Sequence, residues 1–208
     1  MVSLLVYKRI KDRAKEHKLS VPKNYESIMC RYKKIRNLGK NRIVFSWLFD
    51  AGSRVLNASP MIPGLIVLNA EWAAKIVLED CEDTMNAFMI TVGHELTHKD
   101  KEVNWVIYTG NNRKFVAQVN EIHADFGAAQ KMCGSSRQAL LKSIEYKRKN
   151  KKADDGDFAH PPWWKRYEYV NEYNFDKTLI RKIADDVNCQ NERLINYLIC
   201  FYDDIVLT

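Results

Sequence analysis

The chain has 208 residues, and 33 Lys and Arg against 26 Asp and Glu leave a formal charge of +7. With 46% hydrophobic and 11% aromatic residues it carries enough apolar side chain to bury a core, which excludes a disordered tail. No apolar run approaches the ~18 residues of a membrane span, Lys8 and Arg9 cut the apolar start too short for a signal peptide, and five scattered cysteines without a C-x-x-C pair speak against a disulfide framework or a cysteine zinc site. The expectation is one cytoplasmic domain without a transmembrane segment, in a reducing compartment.

The charge is uneven. Residues 1–42 hold 13 basic and 3 acidic side chains, net +10, and residues 137–152 hold 7 and 1, net +6. Residues 43–136 come to −4 and residues 153–208 to −5. Basic segments of this kind suit peripheral contact with nucleic acid or an anionic membrane, but solvated helix faces are the commoner use of such charge.

In chain order, residues 3–18 and 25–37 read as helices, the first with Val2, Val6, Ile10 and Ala14 on one stripe. Leu38-Gly39-Lys40-Asn41 is a turn signal. Two β-like runs follow at 43–49 and 54–58; Pro60 and Pro63-Gly64 break the second, which resumes at 65–68. Proline-marked strands belong at a sheet edge. A helix is predicted over 71–78. A stronger one over 83–99 is apolar around most of its circumference and should be central. Further helices are expected at 113–133, ending on Gly134 as a left-handed cap, then at 137–149, from Trp163 after Pro161-Pro162, and near 177–187 and 191–205. Residues 151–156, KKADDG, form a loop candidate.

The chemistry sits in His94-Glu95-Leu96-Thr97-His98, an H-E-x-x-H inside the central helix. The i, i+4 spacing puts both imidazoles on one face, where they can share a metal, and Glu95 can take a proton from a metal-bound water. Two unligated histidines and a glutamate would be costly to bury in so apolar a helix, which favours the metal reading over chance. An open catalytic zinc site needs a third protein ligand. The metzincin spacing would require Gly at 101 and His at 104, where Lys101 and Asn104 stand. Glu121 on the next long helix is the favoured third ligand. His123 competes but points about 200° around that helix. Asp125, one turn after Glu121, either reaches the outer N–H of a ligand histidine or is a surface carboxylate.

His94-Glu95-x-x-His98 followed by Glu121-x-x-Ala124-Asp125 resembles the gluzincin metallopeptidases of the M48 type, the group that includes the CAAX prenyl protease and HtpX. Asn57-Ala58 with Pro63-Gly64-Leu65-Ile66-Val67 is similar to that family's edge strand, and His160-Pro161-Pro162-Trp163-Trp164-Lys165-Arg166 to its downstream H-P-x-x-x-x-R element. The resemblance spans about residues 55–170. It implies one Zn2+ held by His94, His98 and Glu121, with Glu95 as general base and acid and His160 facing the substrate carbonyl. It further implies that Asp125 pairs with Arg166 and that Asn57 and Ala58 bind substrate backbone.

The fold expected is α+β and mostly helical: a zincin-like core whose small edge-exposed sheet packs on the HExxH helix, with flanking helices. Residues 1–42 would form a basic helical part, 43–175 the catalytic core and 176–208 the C-terminal helices. Typical members carry transmembrane helices, so this chain resembles the small minimal gluzincins that lack them. The function implied is a zinc metalloendopeptidase acting on a peptide or protein substrate. Two alternatives are a regulatory peptidase of the ImmA/IrrE type that cleaves a repressor, and a basic nucleic-acid or membrane-binding protein with a vestigial zinc site.

Overall fold

The computed structural model describes residues 3–35, 42–46, 58–62, 65–150 and 156–208. Two helices come first, α1 (Leu4–Glu16) and α2 (Tyr25–Ile35), then strands β1 (Arg42–Ser46), β2 (Ala58–Ile62) and β3 (Leu65–Asn69). The rest is helical: α3 (Ala70–Glu79), α4 (Glu82–Asp100), a short 3-10 turn (Trp105–Ile107), α5 (Gly110–Met132), α6 (Arg137–Lys149), α7 (Trp163–Glu172), α8 (Lys177–Asp186) and α9 (Glu192–Phe201). The fold is α+β and mostly helical, and no described helix is long and apolar enough to cross a membrane.

The sheet has the order β1-β3-β2, with β1 parallel and β2 antiparallel to β3. Among the described residues β2 is therefore at the edge of the sheet, and it packs against α4. The expected break at Pro60 does not occur: β2 runs from Ala58 through Pro60 to Ile62. Proline cannot donate a ladder hydrogen bond, but an edge strand needs only one bonded side, and the register shifts between Ser59 and Ile62. Of the run expected over 54–58 only Ala58 is described, as the start of β2; the end of the first run at 47–49, the turn at 38–41, Pro63-Gly64 and most of the 151–156 loop lie outside the described residues.

Local signals account for several helix ends. Asp176 caps α8 by accepting from the Thr178 and Leu179 amides, and Asn191 caps α9 through the Leu194 amide. α5 ends as expected, with Gly134 at φ 58° and the Ser135 amide donating back to the Ala129 carbonyl. α9 stops at Phe201, short of the expected 205, because Ile205 exchanges both backbone hydrogen bonds with Phe175.

Buried apolar residues form two clusters. Trp72, Phe88, Ile66 and Leu68 centre the one built from α1–α4 and the sheet; Phe115, Phe126, Tyr169, Phe175 and Leu198 centre the one built from α5–α9. α4 lies between them: Val92 and Leu96 face the first and Ile90 the second. α4 and α5 come close because Gly93 faces Ala128 and Met132, and Gly127 faces Thr97.

Some of the basic charge is used inside the fold. Arg13 of α1 donates to the buried Glu71 at 2.6 Å. Arg137 of α6 donates to the carbonyls of Val170 and Tyr173 and to Asn174.

Candidate metal centre

His94 and His98 stand one turn apart on α4, and their Nε2 atoms are 3.0 Å from each other. Glu121 reaches both from α5, with Oε2 3.3 Å from His94 Nε2 and Oε1 3.3 Å from His98 Nε2. One ligand atom from each of the three residues lies within 4.8 Å of the other two, close enough for a single ion. The outer nitrogens are engaged by carboxylates: His94 Nδ1 is 3.0 Å from Asp125 Oδ1, and His98 Nδ1 is 3.5 Å from Glu102 Oε2. Those contacts orient the rings and leave both Nε2 atoms facing the centre.

Asp125 is 1% exposed and lies one turn after Glu121. Its partner is Arg166 of α7, which donates from Nε to Oδ2 at 2.7 Å and from Nη2 to Oδ1 at 2.5 Å. The Arg166 guanidinium lies 4.4 Å over the Trp163 ring, and its Nη1 is 3.7 Å from Glu121 Oε2. Burial opposes ionisation of Asp125, but Arg166 and His94 outweigh it and hold the carboxyl well below the usual carboxylate range. Glu121 is likewise held well below its ordinary value, burial being outweighed by His94 and His98. His98 is pushed up to about 10: burial works against its charge, and the bonds to Glu102 and Glu121 prevail.

Glu95 is 9% exposed on the same helix, and its charge is among those that keep Arg166 protonated. His160 comes in from the turn before α7, with Nε2 3.4 Å from Glu121 Oε1. Its Nδ1 is 2.8 Å from Asp157, whose carboxylate also accepts from the Ala159 and His160 amides. Gly156 closes that turn at φ 65°, where a Cβ would stand 2.6 Å from the His160 carbonyl oxygen. His123 is not at the centre. Its ring packs against Phe175 and Tyr202 behind α5, where burial lowers its pKa to about 3.

Two imidazole nitrogens and a carboxylate suit zinc as a donor set. A further observation fits a cation: Glu121 Oε2 is buried without a well-formed hydrogen bond, its nearest donors being His94 Nε2 at 3.3 Å and Arg166 Nη1 at 3.7 Å, and an ion would complete its contacts. Of the predicted site residues, the structure brings together His94, His98, Glu121, Asp125 and Arg166, sets Glu95 beside them and brings His160 to the rim. Ala58 lies on β2 opposite Leu68, and Asn57 is outside the described residues. Sequence reasoning missed Glu102 and Asp157. Their signals were i+4 from His98 and i−3 from His160, patterns too common in any charged helix or turn to stand out. Comparison of the chain with family models, with curated proteins and with solved structures finds no match.

Proposed function

We propose that this protein is a zinc-dependent metalloendopeptidase with a gluzincin-like, zincin-type core of the M48 kind. The observation that carries the reading is the convergence of His94 Nε2 and His98 Nε2, on a helix packed against an antiparallel strand, with the buried Glu121 carboxylate of the neighbouring helix. When bound, zinc supplies a Lewis acid that acidifies a water and polarises the scissile carbonyl.

This chain's residues do the rest. His94, His98 and Glu121 hold the ion, with Asp125 accepting from His94 Nδ1–H and Arg166 balancing the Asp125 charge. The side of β2 away from β3, which no described strand occupies, pairs with an extended substrate backbone. Glu95 takes the proton from the attacking water and returns it to the leaving amine. His160, oriented through Nδ1 by Asp157, donates from Nε2 to the developing oxyanion. The Asp125–Arg166 pair and the approach of His160 support this reading over a repressor-cleaving regulatory peptidase.

Glu95→Gln keeps the shape and removes the base. It is expected to retain one zinc per chain and to lose peptide hydrolysis by about 100-fold or more. Casein digestion beside elemental analysis checks both, and a Glu95→Gln protein that keeps most of its activity refutes the mechanism.

A further inference from the structure

Arg113, on the first turns of α5, has a setting unlike that of an ordinary surface arginine. Its guanidinium carbon lies 4.6 Å from the Trp105 ring and 5.5 Å from the Phe158 ring, and the two rings are 6.3 Å apart. Its Nε is buried without a hydrogen-bond partner, and no carboxylate among the described residues pairs with it. The first turn of α5 carries no acidic side chain, and Thr109 does not cap it, so the positive end of the helix adds to the charge of Arg113.

Phe158 is half exposed, and Val106 and Ile107 beside Trp105 are largely exposed. Arg113 is therefore flanked by exposed apolar side chains. Phe158 belongs to the Gly156–His160 turn, which also delivers His160 to Glu121. Arg113 precedes Glu121 by eight residues on one helix, a rise of about 12 Å. An extended peptide advances about 3.3 Å per residue, so three or four substrate residues bridge that span.

A stacked guanidinium with unused donors recognises a planar carboxylate by two parallel hydrogen bonds. We infer that Arg113, resting on Trp105 with Phe158 beside it, forms a subsite for a substrate carboxylate three or four residues from the cleaved bond. This rests on the metallopeptidase reading. The carboxylate comes either from an acidic side chain or from the substrate's own C-terminus.

The test uses zinc-loaded full-length protein and fluorogenic peptides that differ only in Glu or Gln at two to five residues from the cut, each as free acid and as amide. Wild type is expected to favour Glu over Gln about tenfold or more in kcat/KM at one position. A preference kept in the amide series assigns the side chain; one seen only in free acids of one length assigns the C-terminus. Arg113→Gln should bring the ratio below twofold, and Arg113→Glu should turn the preference toward a Lys-bearing peptide, which no packing role predicts. An acid-to-neutral ratio equal in wild type and Arg113→Gln overturns the subsite. If wild type cuts no peptide, the metallopeptidase reading fails separately. The subsite is then judged by tryptophan-fluorescence binding of the same peptides to zinc-loaded Glu95→Gln protein, where equal affinity for Glu and Gln peptides rejects it.

Discussion

Asp125 decides more at the residue scale than its place behind the candidate ligands suggests. It is a fully buried carboxylate that serves His94 on one side and Arg166 on the other. Breaking a buried pair from one side leaves an uncompensated charge and costs about 3–5 kcal/mol, and losing a group that orients a metal ligand weakens metal affinity roughly 10–100-fold. Asp125→Asn and Arg166→Leu should each lower stability and zinc affinity on these scales. The double variant should cost clearly less than the sum, since the second change removes a charge already orphaned. Urea denaturation and zinc titration of the four proteins check this, and strict additivity would mean that the pair is not coupled. Asp125 was legible from its i+4 relation to Glu121. Arg166 came only from the resemblance, because 41 residues separate it from its partner and no local periodicity links them.

The relation that matters among elements is the close crossing of α4 and α5, which brings Glu121 onto the two histidines. A Cβ on Gly127 would stand 2.5 Å from Thr97 Cγ2 and 2.7 Å from its Oγ1. Thr97 cannot easily retreat: it is β-branched on a helix, and its hydroxyl donates to the Gly93 carbonyl at 2.9 Å. Gly127→Ala would gain up to about 1 kcal/mol in helix propensity, but overpacking costs about 1–3 kcal/mol. The clash should win. The variant is expected to melt lower and to bind zinc more weakly, because the crossing is forced apart at the site. Calorimetry with zinc titration tests it, and a stabilised Gly127→Ala protein would show that the crossing has slack. The glycine was visible in the sequence, but nothing in the sequence showed what it faces.

For the whole molecule, the candidate ligands come from helices on two sides. α4 is buried largely in the cluster of α1–α3 and the sheet, and α5 in that of the C-terminal helices. An ion bound by His94, His98 and Glu121 would tie the two together. Zinc at a hundredfold excess over its Kd should therefore add about 2.7 kcal/mol of stability, seen as a rise in Tm that EDTA reverses. His94→Ala should abolish the zinc dependence while leaving a folded protein. A Tm indifferent to zinc in the wild type would place the ion, if any, elsewhere.

The sequence by itself determined the helical character of the chain, the burial of α4 and the placing of His94 and His98 on one of its faces, since each depends on periodicity within one element. It determined that the proline-marked strand belongs at an edge, since a residue without an N–H cannot serve two neighbours. Only the tertiary structure decided that Pro60 stays within β2, since the missing donor matters only in relation to a particular partner and register. Only the tertiary structure decided that α9 yields to a Phe175–Ile205 pairing, that Glu102 and Asp157 back the histidines of the candidate site, and that Arg113 packs on Trp105 and Phe158. Those contacts join residues far apart in the chain or turns too short to carry a period, and their energies arise from shared burial that exists only once the helices have packed.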